Sequence, residues 1–153
     1  MPEIVVLGIG NDYIGNDSIG VIVARKLRER LPSSVTVMEC PSAFDALMNS
    51  PDCDIMIIID SFLSEEPGSL LVEIHERIDE EGHGASQVDP HGIDVDKLMD
   101  LIWFFKKSLK KIVFIGVGVD KVDLSEGIAP TVSHGIELAV DLIVNEISRL
   151  SRE

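Results

Sequence analysis

The spacing of apolar residues along this chain alternates between short continuous runs, typical of buried strands, and a helical spacing. Short β-branched apolar runs predict buried strands at Glu3–Leu7, Val35–Cys40, Cys53–Asp60 and Lys111–Val117. A further run, Ser69–Ile74, alternates only weakly, which predicts a strand at the edge of the sheet. The Cys53–Asp60 run is the most apolar, so we expect it at the centre.

Between these runs the apolar residues recur at helical spacing. The segment from Ile19 to Leu31 places its apolar residues on one helix face, and Pro32 ends that helix. Ala43–Met48 is a short helix candidate, and Ile93–Lys107 returns to the same spacing. A last helix follows Pro130.

The resulting order, β-α-β-α-β-β-α-β-α, is typical of an α/β fold. It predicts one domain over residues 1–153, with a mostly parallel five-stranded sheet covered by helices on both faces. The irregular stretch Glu76–Gly92 is expected to be a long loop, and loops of that length are often functional. Ligands of such sheets bind at the carboxyl ends of the strands.

Composition and charge narrow the classes of partner. The net charge of −14 disfavours nucleic acid, because an acidic surface repels phosphate backbones. No apolar run approaches the roughly 18–20 residues that span a bilayer, and no basic region precedes the first apolar run. Cys40 and Cys53 have no metal-ligand spacing. We therefore expect a cytoplasmic protein with reduced thiols and no membrane or nucleic-acid partner.

Several acidic side chains and one imidazole follow the predicted strands. Asp12 and Asp17 come after the first strand, Glu39 lies near the end of the second, and Asp60 closes the third. His91 lies in the loop before the Ile93 helix. If Asp17, Asp60 and His91 converge at one edge of the sheet, their two carboxylates and one imidazole suit a divalent ion such as zinc, nickel or cadmium. The same groups would also suit a general base and the groups that orient it.

Each candidate also has a purely structural interpretation. Asp17, or Ser18 beside it, stands where a helix N-cap belongs. Asp60 at a strand end is also typical of a turn. His91, before a glycine, is also typical of a solvated loop.

The glycines after the first strand raise a nucleotide-binding alternative. Gly8 and Gly10 fit a GxGxxG pattern, and Glu39 stands where an acid would hold a ribose. The third glycine position, however, holds Tyr13, and Asp17 would repel a pyrophosphate at the helix start.

The opening segment resembles the hydrogenase maturation proteases. Their G-[IV]-G-N-x-x-x-x-[DE]-[DE]-x-x-G pattern matches Gly8–Asn11, Asp17 and Gly20, with Asn16 in the position of the first paired acid. The resemblance continues through Ile58–Ser61, Pro67–Gly68, Pro90–His91, Ile112–Val117 and Leu124–Thr131. The small-residue segment Glu39–Ala43 lacks the family's glycines.

This resemblance implies a three-layer α/β/α sandwich and a specific activity. Members of the family are endopeptidases that trim the C-terminal tail of the nickel–iron hydrogenase large subunit precursor. The resemblance assigns Asp17, Asp60 and His91 as ligands of the nickel that the precursor carries, for which zinc or cadmium would substitute in vitro. A non-catalytic metal- or nucleotide-binding module on the same scaffold is the alternative.

Overall fold

A computed structural model describes residues 2–10, 18–77, 93–120 and 128–152. The strands and helices within these ranges follow the predicted order and are, along the chain, β1 (Ile4–Ile9), α1 (Ile19–Arg30), β2 (Thr36–Cys40), α2 (Ala43–Asn49), β3 (Ile55–Leu63), β4 (Leu70–Glu76), α3 (Ile93–Phe105), β5 (Lys111–Val119) and α4 (Pro130–Ser151).

The described strands form one sheet in the order β2-β1-β3-β5-β4. β1 pairs in parallel with β2 and β3, and β3 pairs in parallel with β5. β4 runs antiparallel to β5 at one edge. The predicted five-stranded, mostly parallel sheet is confirmed, as are the central place of β3 and the edge position of the weakly alternating strand.

Helices cover both faces of the sheet, because successive side chains of each strand point to opposite faces. On one face, Val6 and Ile57 belong to a core shared with α1 and α4. On the other face, Met56 and Ile58 belong to a core shared with α2 and α3. The fold is therefore the expected three-layer sandwich. Of the described helices, none combines the length and apolarity needed to cross a bilayer.

The prediction that the third strand ends at Asp60 was wrong. β3 runs on to Leu63, and it pairs with β5 as far as the Leu63–Val119 match. Its pairing with β1 stops earlier, at Gly8 and Ile59. A Cβ on Gly116 would lie 2.7 Å from the Phe62 ring, so this glycine leaves room for the extra length of β3. The strand continues because a distant segment of the chain offers it a partner.

Candidate active site

Asp60 lies where β3 loses one of its two neighbours. Its Cα faces Gly116 of β5, while the pairing with β1 ends one residue earlier. The side chain is partly exposed, and its Oδ1 accepts a hydrogen bond of 2.8 Å from the Ser61 N–H. Alternation along β3 places it on the same face as Met56 and Ile58, the face that α3 covers. Asp60 is thus a carboxylate on the central strand, at the carboxyl edge of the sheet.

The first turn of α1 packs directly against this edge. A Cβ on Gly20 would collide with the Ile9 carbonyl oxygen and lie 2.6 Å from the Ile59 carbonyl oxygen. A Cβ on Gly8 would collide with the Gly20 carbonyl oxygen and lie 2.7 Å from the Ala24 Cβ. These two glycines therefore let a helix backbone touch the ends of two strands, one residue from Asp60.

Ser18 occupies the N-cap position of α1 and is buried. The helix begins at Ile19, as the apolar spacing predicts. Asp17 and His91 lie outside the described residues, and so does Asp12. The predicted site of Asp17, Asp60 and His91 therefore remains a prediction. Within the described ranges no three His, Cys, Asp or Glu side chains form a group that suits a metal ion.

Glu39, the other described acid among the candidates from the sequence, is held by two arginines of α1. Its Oε1 accepts a hydrogen bond from Arg25 Nε at 3.0 Å, and its Oε2 accepts one from Arg28 Nη1 at 2.6 Å. Arg28 also donates to the Val37 carbonyl oxygen. The hydrogen bond from Arg28, opposed by desolvation and aided by Arg25, lowers the pKa of Glu39 from its usual 4.5. Both carboxylate oxygens serve to join α1 to β2, which argues against the ribose-binding role in the nucleotide alternative.

The cysteines are buried thiols, in agreement with the sequence analysis. Cys40 and Cys53 are both free. Burial is the main cause that raises the pKa of each to about 11. A thiol that keeps its proton at neutral pH is a poor nucleophile, so neither cysteine suits covalent catalysis.

One exposed aromatic residue near this edge was not singled out by sequence reasoning. α2 begins three residues after β2 ends, and Ser42 caps it by accepting a hydrogen bond from the Asp45 N–H. Phe44 in its first turn is 71% exposed and Met48 is 62% exposed. The available signal was a pair of large apolar residues four apart on the polar side of a short helix.

The comparisons with known proteins identify the family. A family model described as hydrogenase maturation protease (HycI) matches residues 21–146. The chain belongs to the hydrogenase maturation protease family. This family consists of endopeptidases, so the prediction of a hydrolase is confirmed.

Individual relatives agree with this assignment. The hydrogenase 2 maturation protease of Escherichia coli K12 is 26% identical over 147 residues, which cover 93% of this chain and 88% of the relative. The solved structure of hydrogenase maturating endopeptidase HybD from E. coli has a TM-score of 0.73 at 24% identity, covering 96% of this chain and 93% of its own. The [NiFe] hydrogenase maturation protease HybD from Thermococcus kodakarensis has a TM-score of 0.69 at 25% identity, covering 92% and 96% respectively. The E. coli structure supports the three-layer fold over nearly the whole of this chain.

Proposed function

We propose that this chain is the endopeptidase that removes a C-terminal peptide from the nickel-loaded precursor of a nickel–iron hydrogenase large subunit, in the cytoplasm. Membership of the maturation protease family supports this function. The matched Thermococcus kodakarensis relative is itself a [NiFe] hydrogenase maturation protease. The precursor is then both substrate and partner, and the nickel arrives with it.

The observation that carries the proposal is the contact between the first turn of α1 and the end of β3. Gly20 lies against the backbone of Ile59, and Ile59 directly precedes Asp60. Asp17 stands three residues before Gly20, a length of chain that spans at most about 11 Å. This short connection supports a site that Asp17 and Asp60 share.

The position of α3 supports a role for His91 at the same edge. α3 ends at Phe105, shortly before β5 begins at Lys111, so its first turn at Ile93 belongs to the opposite, carboxyl end of the sheet. His91 precedes that turn by two residues. α3 also packs on the face to which Asp60 belongs.

In the proposed reaction these three side chains recognise the precursor through its nickel. Carboxylate oxygens and an imidazole nitrogen are ordinary ligands for such an ion. Ligation would fix the precursor's tail against the edge of the sheet and so position the scissile bond. A water molecule polarised there would then attack that bond. A precursor without metal would not be held, so cleavage would wait for nickel loading.

Incubation with nickel-loaded precursor tests this function. The expected result is a large subunit shortened at its C-terminus, read by intact-protein mass spectrometry. Asp17→Asn, Asp60→Asn and His91→Ala should each abolish the shortening while leaving the circular dichroism spectrum unchanged. Full-length precursor after incubation with the wild-type protein, while the E. coli relative cuts its own precursor in parallel, would refute the function. Full cleavage by all three variants would refute the site.

The same assay separates the alternative of a binding module. Such a module would bind nickel or zinc and leave the precursor uncut. A nucleotide-binding protein would show a thermal shift with NAD or ATP. The ion pairs that occupy Glu39 favour neither a ribose nor a peptide contact at that residue.

A further inference from the structure

The outer edge of β4 has no role in the proposed reaction. β4 ends the sheet on the side away from β2, and among the described residues no strand pairs with its outer edge. The strand reads LLVEIHE over Leu70–Glu76 and contains no proline or lysine, and Val72 and Ile74 are exposed on either side of Glu73. Within the described residues this edge is therefore a template for another strand.

The backbone groups on that edge can be assigned from the pairing with β5. Arg77 N–H donates to the Lys110 carbonyl oxygen, and Gly118 N–H donates to the Ser69 carbonyl oxygen. In an antiparallel pair the hydrogen-bonded positions alternate, so the odd-numbered residues of β4 face β5. The residues that direct N–H and C=O groups outward are therefore the four even-numbered ones, Leu70, Val72, Ile74 and Glu76.

Apolar side chains line the same edge. Val72 is 45% exposed and Ile74 is 56% exposed, and both lie opposite residues of the core that α4 covers. The flank of α4 that starts at Gly135, where a Cβ would lie 2.5 Å from the Gly68 carbonyl oxygen, continues through Leu138 and Leu142. These two leucines are also exposed. We call the edge strand and this helix flank together the apolar strip; it lies beside outward backbone groups of β4 with which no described strand pairs.

The strip also lies within reach of the carboxyl edge. Leu70 pairs with Val117, which pairs with Ser61 beside Asp60. Two strand spacings therefore separate the start of β4 from Asp60, a distance of about 10 Å. A peptide paired with β4 would reach Asp60 with about four further extended residues.

We infer that β4 binds the C-terminal extension of the hydrogenase precursor as an added strand, an inference that rests on the proposed function. Charge selects this occupant over a second copy of the chain. Glu65 and Glu66 are exposed at one end of the strip and Glu76 at the other. A second copy would bring the same carboxylates and another net charge of −14. The bound segment is an extended one with apolar side chains at alternate positions and basic residues at its ends.

Hydrogen exchange of single amides tests the inference, and the 16.8 kDa chain suits residue-resolved NMR. The probe is a synthetic copy of the peptide that the wild-type protein releases from the precursor. Its binding should slow exchange at Leu70, Val72, Ile74 and Glu76, and leave the inward amides between them unchanged. Binding of the peptide without this alternating pattern overturns the inference. Slow exchange at these amides without peptide, together with a dimer mass, overturns it in favour of a second copy.

Variants give an independent readout on the intact precursor. Ile74→Pro removes one outward N–H, and Ile74→Lys keeps it but places a charge in the strip. Each should raise KM about tenfold, the effect of losing one or two strand contacts, and leave kcat within about twofold. Phe105→Lys is the matched control. Phe105 is also exposed, at 61%, and its replacement by lysine adds the same charge on α3, away from the strip.

The variants and the wild-type protein fail in different ways. If the wild-type protein cuts no precursor, the proposed function fails. If it cuts the precursor and Ile74→Lys, correctly folded by circular dichroism, keeps the wild-type KM, only the strand-docking inference fails.

Discussion

Glu39 and Asp60 make an informative comparison, because both are carboxylates on the strands that flank β1, close to the end of their pairing with it. Glu39 is pinned by Arg25 and Arg28, and its lowered pKa reflects those two guanidinium groups. Asp60 is held by the N–H of the next residue, at the place where the first turn of α1 meets the sheet. The two acids occupy similar positions in the topology and have different surroundings. A position at the edge of the sheet therefore makes a residue a candidate for the site, and its hydrogen-bond partners determine whether it can bind a ligand.

Exchanging each acid for its amide gives the largest expected effect. Asp60→Asn should lower precursor processing by at least about a hundredfold, because a carboxylate ligand of the proposed site is lost and the scissile bond is no longer well positioned. Glu39→Gln should keep processing within about threefold, since its role is to join α1 to β2. Rates of precursor shortening with equal amounts of folded protein measure both. Equal losses of processing rate in the two variants would contradict the different roles of Asp60 and Glu39.

The close contact beside Asp60 gives the next effect. Gly20→Ala would drive a Cβ into the carbonyl oxygens of Ile9 and Ile59. Overpacking of this kind should destabilise the fold by about 3 kcal/mol and displace the first turn of α1. Glu29→Ala on the exposed face of the same helix should change stability by less than about 0.5 kcal/mol. Urea unfolding of the two variants provides the comparison, and equal stabilities would refute the tight packing.

The pH dependence of stability should reveal the Glu39 ion pairs. The pKa of Glu39 is lower in the folded state than its usual value of 4.5. Its contribution to the free energy of unfolding is therefore fully present above pH 4.5 and is lost as the pH falls through the folded-state pKa. At pH 7 Glu39→Gln should cost about 0.5–1 kcal/mol, a small effect because Arg25 and Arg28 are about half exposed. The difference between wild type and variant should shrink below pH 4.5 and in high salt. A difference that is constant from pH 7 to pH 3 would contradict this assignment.

The smallest effect concerns Cys40, which follows Glu39 at the same strand end. Burial raises the pKa of Cys40 and Cys53 to about 11, so alkylation by iodoacetamide at pH 8 should be far slower than for a solvent-exposed cysteine. The treated protein should retain its processing activity. Mass spectrometry of the alkylated chain measures the modification, with urea-unfolded protein as the reactive control. Rapid labelling of the native protein, with loss of activity, would place a thiol in the site.

Local patterns in the sequence were sufficient for the layers of the fold. The apolar run ending at Asp60 predicted the central strand, and the weak alternation of Ser69–Ile74 predicted the edge. The apolar spacing from Ile19 predicted the start of α1. These features depend on side-chain period and burial, which neighbouring residues determine. The pattern of glycines and acids also led to the correct family.

Partners from distant parts of the chain decided the rest. β3 extends past Asp60 because β5 pairs with it as far as Val119, more than fifty residues later. Glu39 is unavailable for a ligand because two arginines of α1 reach it. The sequence by itself determined which segments are strands and helices and which acids belong to the carboxyl edge. Only the tertiary structure showed that Glu39 is paired with two arginines and that α1 touches the ends of β1 and β3, because those contacts join residues whose separation along the chain carries no periodic signal.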